Sequence, residues 1–88
     1  MDTIHKTTSK DEKYLLTLKG LRTRNFSRNL PLLLLSDKLP EGQVYREYAD
    51  GRIEIQEIFS VGSHYQHKVI SILSAADADK VRRTYGLL

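Results

Sequence analysis

Gln43-Val44-Tyr45-Arg46-Glu47-Tyr48-Ala49-Asp50-Gly51-Arg52-Ile53-Glu54-Ile55-Gln56-Glu57-Ile58 is the stretch that decides the fold. Two runs rich in aromatic and β-branched residues flank Asp50-Gly51. Asp-Gly in that setting is a strong hairpin signal, because glycine enters the left-handed turn conformation without a Cβ clash. Two registers compete. A two-residue loop sets Glu47 opposite Glu54 and Arg46 opposite Ile55. A three-residue loop with Gly51 left-handed sets Arg46 opposite Glu54 and Tyr45 opposite Ile55. The second pairs opposite charges and apolar groups, each worth up to about 1 kcal/mol, and is the expected one. It places Glu47 and Glu57 on one face with Tyr45, Ile53 and Ile55.

Downstream, Val61-Gly62-Ser63 reads as a turn and roughly Tyr65 to Leu73 as a third strand. Val69 and Leu73 point to one face, Ile70 and Ile72 to the other, which predicts cover on both faces at this end. Ser74-Ala75-Ala76-Asp77 has capping-box spacing and opens a helix that runs to Tyr85. Asp77 and Asp79 near its start and Lys80, Arg82 and Arg83 near its end suit the helix dipole. Gly86 reads as a left-handed stop.

Upstream, Ser9-Lys10-Asp11-Glu12 has the form of another capping box. A helix from Ser9 gathers Tyr14, Leu15, Leu18, Leu21 and Phe26 on a face about 140° wide. Arg22 and Asn25 intrude on that face. Tyr14, Leu16 and Leu18 also alternate, so a strand over 14–19 is the competing reading. Residues 1–8 are polar and unpatterned, the composition of a disordered tail ahead of a single small α+β domain over 9–88. Asn29-Leu30-Pro31 ends the helix, since proline disfavours a helical residue before it. Leu32 to Ser36 is apolar but lacks β-branched residues, which favours a short helix over 31–37 rather than a strand. Asp37 to Gly42 is a loop. The fold class is therefore α+β: an N-terminal helix, a three-stranded antiparallel meander and a C-terminal helix packed on the sheet.

The 88 residues suffice for one domain that buries roughly 64% of its unfolded surface, enough for a modest core without staples. There is no cysteine, so disulfides and thiolate metal sites are excluded. The longest apolar run, Leu32 to Leu35, falls far short of the ~20 residues a membrane helix needs. Met1 to Lys6 has no apolar leader core, and the expected location is cytoplasmic. The net charge of +3 is uneven: residues 1–40 hold eight basic and four acidic side chains, residues 41–88 six and seven. Lys19, Arg22, Arg24 and Arg28 fall within ten residues that contain no acid.

Residues with catalytic or ligating potential do not assemble into a motif. His64 and His67, three apart, point to opposite faces of a strand, and His5 lies in the tail, so no metal site is expected. Of the hairpin carboxylates, Glu54 faces Arg46, while Glu47 and Glu57 share the other face near strand ends and turns, where both are expected to stay ionised. No serine lies in a nucleophile elbow, and no glycine spacing forms a phosphate loop. The expectation is a non-enzymatic module without cofactor that binds another protein or a second copy of itself. Its candidate contact residues are Leu32, Leu33, Leu34, Leu35, Tyr45 and Tyr48. The alternative is nucleic-acid binding by the basic first helix through Lys13, Lys19, Arg24 and Arg28. The meander, its Asp-Gly hairpin and the capped helix over 43–86 resemble in order the small arm-binding domains of phage-type integrases, which implies DNA reading by the sheet. Residues 43–86 carry six basic and six acidic side chains, however, and no family is assigned.

Overall fold

A computed structural model describes residues 2–88, with side chains from Lys13 onward. The elements are α1 (Asp2–Ser27), β1 (Leu32–Leu34), β2 (Gln43–Glu47), β3 (Ile53–Val61), β4 (His64–Ile72) and α2 (Ala75–Thr84). The strands form one antiparallel sheet in the order β1-β2-β3-β4. The expected architecture holds, with four strands in place of three.

The β2–β3 hairpin adopts the three-residue turn. Tyr45 pairs with Ile55 and Arg46 with Glu54, and Gly51 has φ 96°. The Gly51 amide donates to the Tyr48 carbonyl at 2.9 Å, and the Tyr48 amide to the Arg52 carbonyl at 2.8 Å. The Asp50 carboxylate accepts from the Arg52 amide at 3.0 Å, closing the turn from its side.

The extra strand is β1, which corrects the expectation of a short helix over 31–37. Helix propensity differs by only a fraction of a kcal/mol per residue among such side chains, so tertiary burial overrides it. Leu32, Leu33 and Leu34 pair with Glu47, Arg46 and Tyr45 of β2. Extended geometry sends Leu32 and Leu34 to the core, each at most 1% exposed, and turns Leu33 away. Burying a leucine stabilises by about 1.5–3 kcal/mol. A helix would give up one of these and the ladder as well.

α1 begins ahead of Ser9, the expected start, and takes in the stretch 2–8, because a helix once nucleated gains a hydrogen bond with each residue added. The Ser9–Glu12 capping box lies outside the described side chains. The inner side of α1 presents Leu15, Leu18, Arg22, Asn25 and Phe26, while Tyr14 and Leu21 stay exposed. Asn25, an intruder on the apolar face, ends the helix by donating from Nδ2 to the Pro31 carbonyl at 3.0 Å.

The core joins Leu18 of α1, Leu32 and Leu34 of β1 and Leu87 beyond α2, with Phe26, Tyr45, Val81 and Tyr85 packed around them. Both helices therefore lie against the sheet face that carries Leu32, Leu34, Tyr45, Glu47 and Ile53. Ser74 caps α2 as expected, its side chain accepting from the Asp77 amide at 3.2 Å. Gly86 takes φ 70° where the chain turns off the helix.

β4 departs from the expectation of cover on both faces. It is an edge strand, exposed along its whole length, Val69, Ile70 and Ile72 included. Its register shifts between Ile55 and Gln56, which pair with Ser71 and Val69 and leave Ile70 unopposed. This bulge breaks the regular alternation on which the expectation rested.

Candidate functional site

Three features bear on function: a buried ion cluster beneath the helices, a polar network on the opposite sheet face, and an apolar groove beside the β1 edge.

Glu47 is the centre of the first. It ends β2, opposite Leu32 on one side and Ile53 on the other, and is fully buried. Arg22 of α1 grips it with two bonds, Nε to Oε1 and Nη2 to Oε2, both 2.8 Å. Arg82 of α2 donates from Nε to Oε2, also at 2.8 Å. Arg82 further reaches Asp79 at 3.0 Å and donates to the carbonyl of Gly51. Burial alone pushes the Glu47 carboxyl up, but the bonds and charges of Arg22 and Arg82 outweigh it and hold the group below its ordinary value. The same bond raises the Arg22 guanidinium, against the opposing effect of burial. Arg22 also lies 5.2 Å over the Phe26 ring. With both oxygens engaged and no exposure, Glu47 ties α1, β2 and α2 together and has no opening toward a substrate. The charge on an otherwise apolar helix face was the signal that could have found this cluster, since a buried charge must be paired.

On the other face, Arg52 bonds Glu54 from Nε to Oε2 at 2.9 Å and lies 4.3 Å over the Tyr48 ring. Gln56, 2% exposed, donates to Glu54 at 2.7 Å and to the Tyr48 hydroxyl at 2.9 Å. Tyr48 is thereby committed within the sheet. Tyr45 is half-buried against the core, on the opposite face.

The groove lies between α1 and β1 and encloses about 230 Å³. Tyr14, Thr17 and Leu21 line it from the helix, Leu33 and Leu35 from the strand and its end, and Leu18, Leu34 and Tyr85 form the remainder. Tyr14 is 66% exposed and Leu35 72%. The Tyr85 hydroxyl donates to the Leu35 carbonyl, fixing the chain where it leaves β1. Burial pushes the Tyr85 phenol above its ordinary value, with a hydrogen bond to Ser36 opposing.

The expected contact leucines are therefore divided. Leu32 and Leu34 are core residues, because strand alternation turns them inward. Leu33 and Leu35 are open at the groove. Lys13, Lys19 and Arg24 are exposed on α1, and Arg28 is exposed in the turn just beyond its end. Among the described residues, no group of three or more His, Cys, Asp or Glu is placed to hold a metal ion, and no helix is long and apolar enough to cross a membrane. No family model, curated protein or solved structure matches this chain.

Proposed function

We propose that this protein is a small non-enzymatic module that acts by docking an extended polypeptide segment at the β1 edge. The observation that carries the reading is the groove beside that edge, with Tyr14, Leu21, Leu33 and Leu35 left open to water. Apolar surface exposed in one contiguous patch next to an unpaired strand supports strand addition. Main-chain pairing is confined to the three residues of β1, since the Pro31 and Leu35 carbonyls on either side already accept from Asn25 and Tyr85, and the groove takes apolar side chains of the incoming segment. Each apolar side chain withdrawn from water contributes about 25 cal/mol per Å² covered.

The test is a photo-cross-linking side chain in place of Leu35 in the full-length chain, irradiated in the living cell. Adducts to a polypeptide support the reading; their absence, or adducts to nucleic acid, overturns it. The basic residues of α1 define the competing outcome. Duplex DNA and RNA at about 50 mM salt, where phosphate contacts bind strongly, are expected to give no change in anisotropy. Salt-sensitive binding that is lost when Lys13, Lys19, Arg24 and Arg28 become glutamine decides for the nucleic-acid alternative.

A further inference from the structure

We propose that α1 is a lid. It opens from the sheet as one body about Leu30-Pro31, while β2, β3 and α2 stay folded. Opening removes the groove wall made by Tyr14, Thr17 and Leu21 and uncovers Leu32 and Leu34. It does not depend on what the closed form docks.

Little holds α1 down. Among the described residues, its only hydrogen bonds to another element of secondary structure are the two from Arg22 to Glu47. From Lys13 to Ser27 only Leu18 is buried. The cluster that Leu18 joins draws its other buried members, Leu32, Leu34 and Leu87, from outside α1. Tyr45, Val81 and Tyr85 remain packed against them when Leu18 leaves. Val44, Ile53 and Ala78 are buried outside that cluster.

The bonding of Glu47 also favours release on the α1 side. Arg82 holds Oε2 independently of Arg22, and is itself bonded to Asp79 and the Gly51 carbonyl. When α1 lifts, the carboxylate keeps a cationic partner. Arg22, already 29% exposed, passes into water with its Phe26 contact intact, since both residues lie on α1. No buried charge is left unpaired, which is the loss that makes breaking an ion cluster costly. Arg82 has no such exit, because it is 11% exposed and serves Glu47, Asp79 and Gly51 together.

The end of α1 is self-contained. Asn29 has φ 57°, the Asn29 amide donates to the Phe26 carbonyl at 3.0 Å, and the Leu30 amide to the Asn25 carbonyl at 2.8 Å. This is a Schellman cap, which satisfies the last carbonyls of a helix from its own chain. α1 therefore ends without help from the sheet. Its 26 residues exceed the roughly 12–15 below which a lone helix is marginal, so it lifts as a helix. Between the cap and β1 stands Pro31, and the Asn25 bond to the Pro31 carbonyl spans the joint.

Native-state hydrogen exchange of the full chain, read residue by residue at low urea concentrations, tests the lid. The amides from Leu18 to Phe26 are expected to share one opening. Their protection should lie at least about tenfold below that of β2 and β3, with a smaller urea dependence, because a sub-global opening exposes less surface. Two kinds of variant separate a lid from global unfolding. Arg22→Gln weakens the closed form against both the open and the unfolded one, so it speeds exchange in α1 and the sheet alike, by about tenfold. Ser74→Ala and Ala78→Gly weaken α2 in the closed and open forms equally. Each therefore speeds the β2 and β3 amides by about twofold or more and leaves α1 unchanged. Acceleration of α1 in step with the sheet by these α2 variants overturns the proposal, since the chain then opens only as a whole. Protection in α1 that declines residue by residue, with Arg22→Gln felt only by its neighbours, overturns it as well, since the helix then frays instead of lifting. Equal protection of α1 and the sheet overturns it too.

Discussion

Replacing Glu47 by glutamine tests the structural reading most sharply. The change keeps shape and removes charge from a fully buried position. Three guanidinium bonds of 2.8 Å end on that carboxylate, two from Arg22 and one from Arg82. A glutamine amide offers one acceptor oxygen and turns N–H donors toward another donor. The side chain of Arg82 is 11% exposed and that of Arg22 29%, so Arg82 has little water to turn to. Removing one member of a buried ion cluster costs about 3–5 kcal/mol, chiefly because the remaining charge is left unpaired. Arg22 lies toward the surface and Arg82 keeps Asp79 and the Gly51 carbonyl, which favours the lower end, about 3 kcal/mol. A domain of this size is stable by roughly 4–13 kcal/mol, so the loss takes a large share. With a urea m-value of about 1–2 kcal/mol per M, the midpoint falls by roughly 2 M. Replacing Glu47, Arg22 and Arg82 together by apolar residues should recover most of that loss, because no charge then remains buried. Acid dependence gives a second measure. The folded Glu47 carboxyl lies below its ordinary value, so its contribution is complete above the unfolded value of 4.5 and is lost as pH falls through the folded one. Glu47→Gln should flatten that part of the stability profile. A midpoint within about 0.5 M of the parent, or an unchanged acid limb, refutes the claim that this cluster holds the helices to the sheet.

Leu34→Ala should cost about 2–5 kcal/mol in urea unfolding, while Leu35→Ala, one residue on, should stay within about 0.5 kcal/mol; equal costs would contradict the strand alternation of β1. Ser74→Ala should cost about 0.5–2 kcal/mol at an unchanged m-value, through loss of the bond to the Asp77 amide, and an unmoved midpoint removes that cap from the account. Gly86→Ala should destabilise by about 1–3 kcal/mol, because φ is 70° and a Cβ there would stand 3.0 Å from Leu15 Cδ1; a neutral result would mean that the chain leaves α2 differently.

Local chemistry determined much of this protein from the sequence alone. The Asp50-Gly51 turn and the pairing preferences of Arg46 with Glu54 and Tyr45 with Ile55 set the central hairpin. Ser74 and Gly86 set the ends of α2. These are interactions between near neighbours in the chain, whose partners stand a fixed number of residues away. What only the tertiary structure decided depends on distant groups. Leu32–Leu34 became a strand because β2 offered a free edge and α1 a surface to cover it, against the weak helical bias of four leucines. Arg22 looked like a flaw in an apolar helix face until Glu47, 25 residues on, and Arg82, 35 residues beyond that, came together around one carboxylate. β4 read as buried on both sides because apolar periodicity marks which residues could be covered, and the register shift at Ile70 belongs to the pairing between strands. The groove has the same origin. Leu33 and Leu35 are indistinguishable in sequence from Leu32 and Leu34; only the alternation imposed by pairing with β2 turned Leu32 and Leu34 toward the core and Leu33 away from it, and left Leu35, just past the strand, exposed.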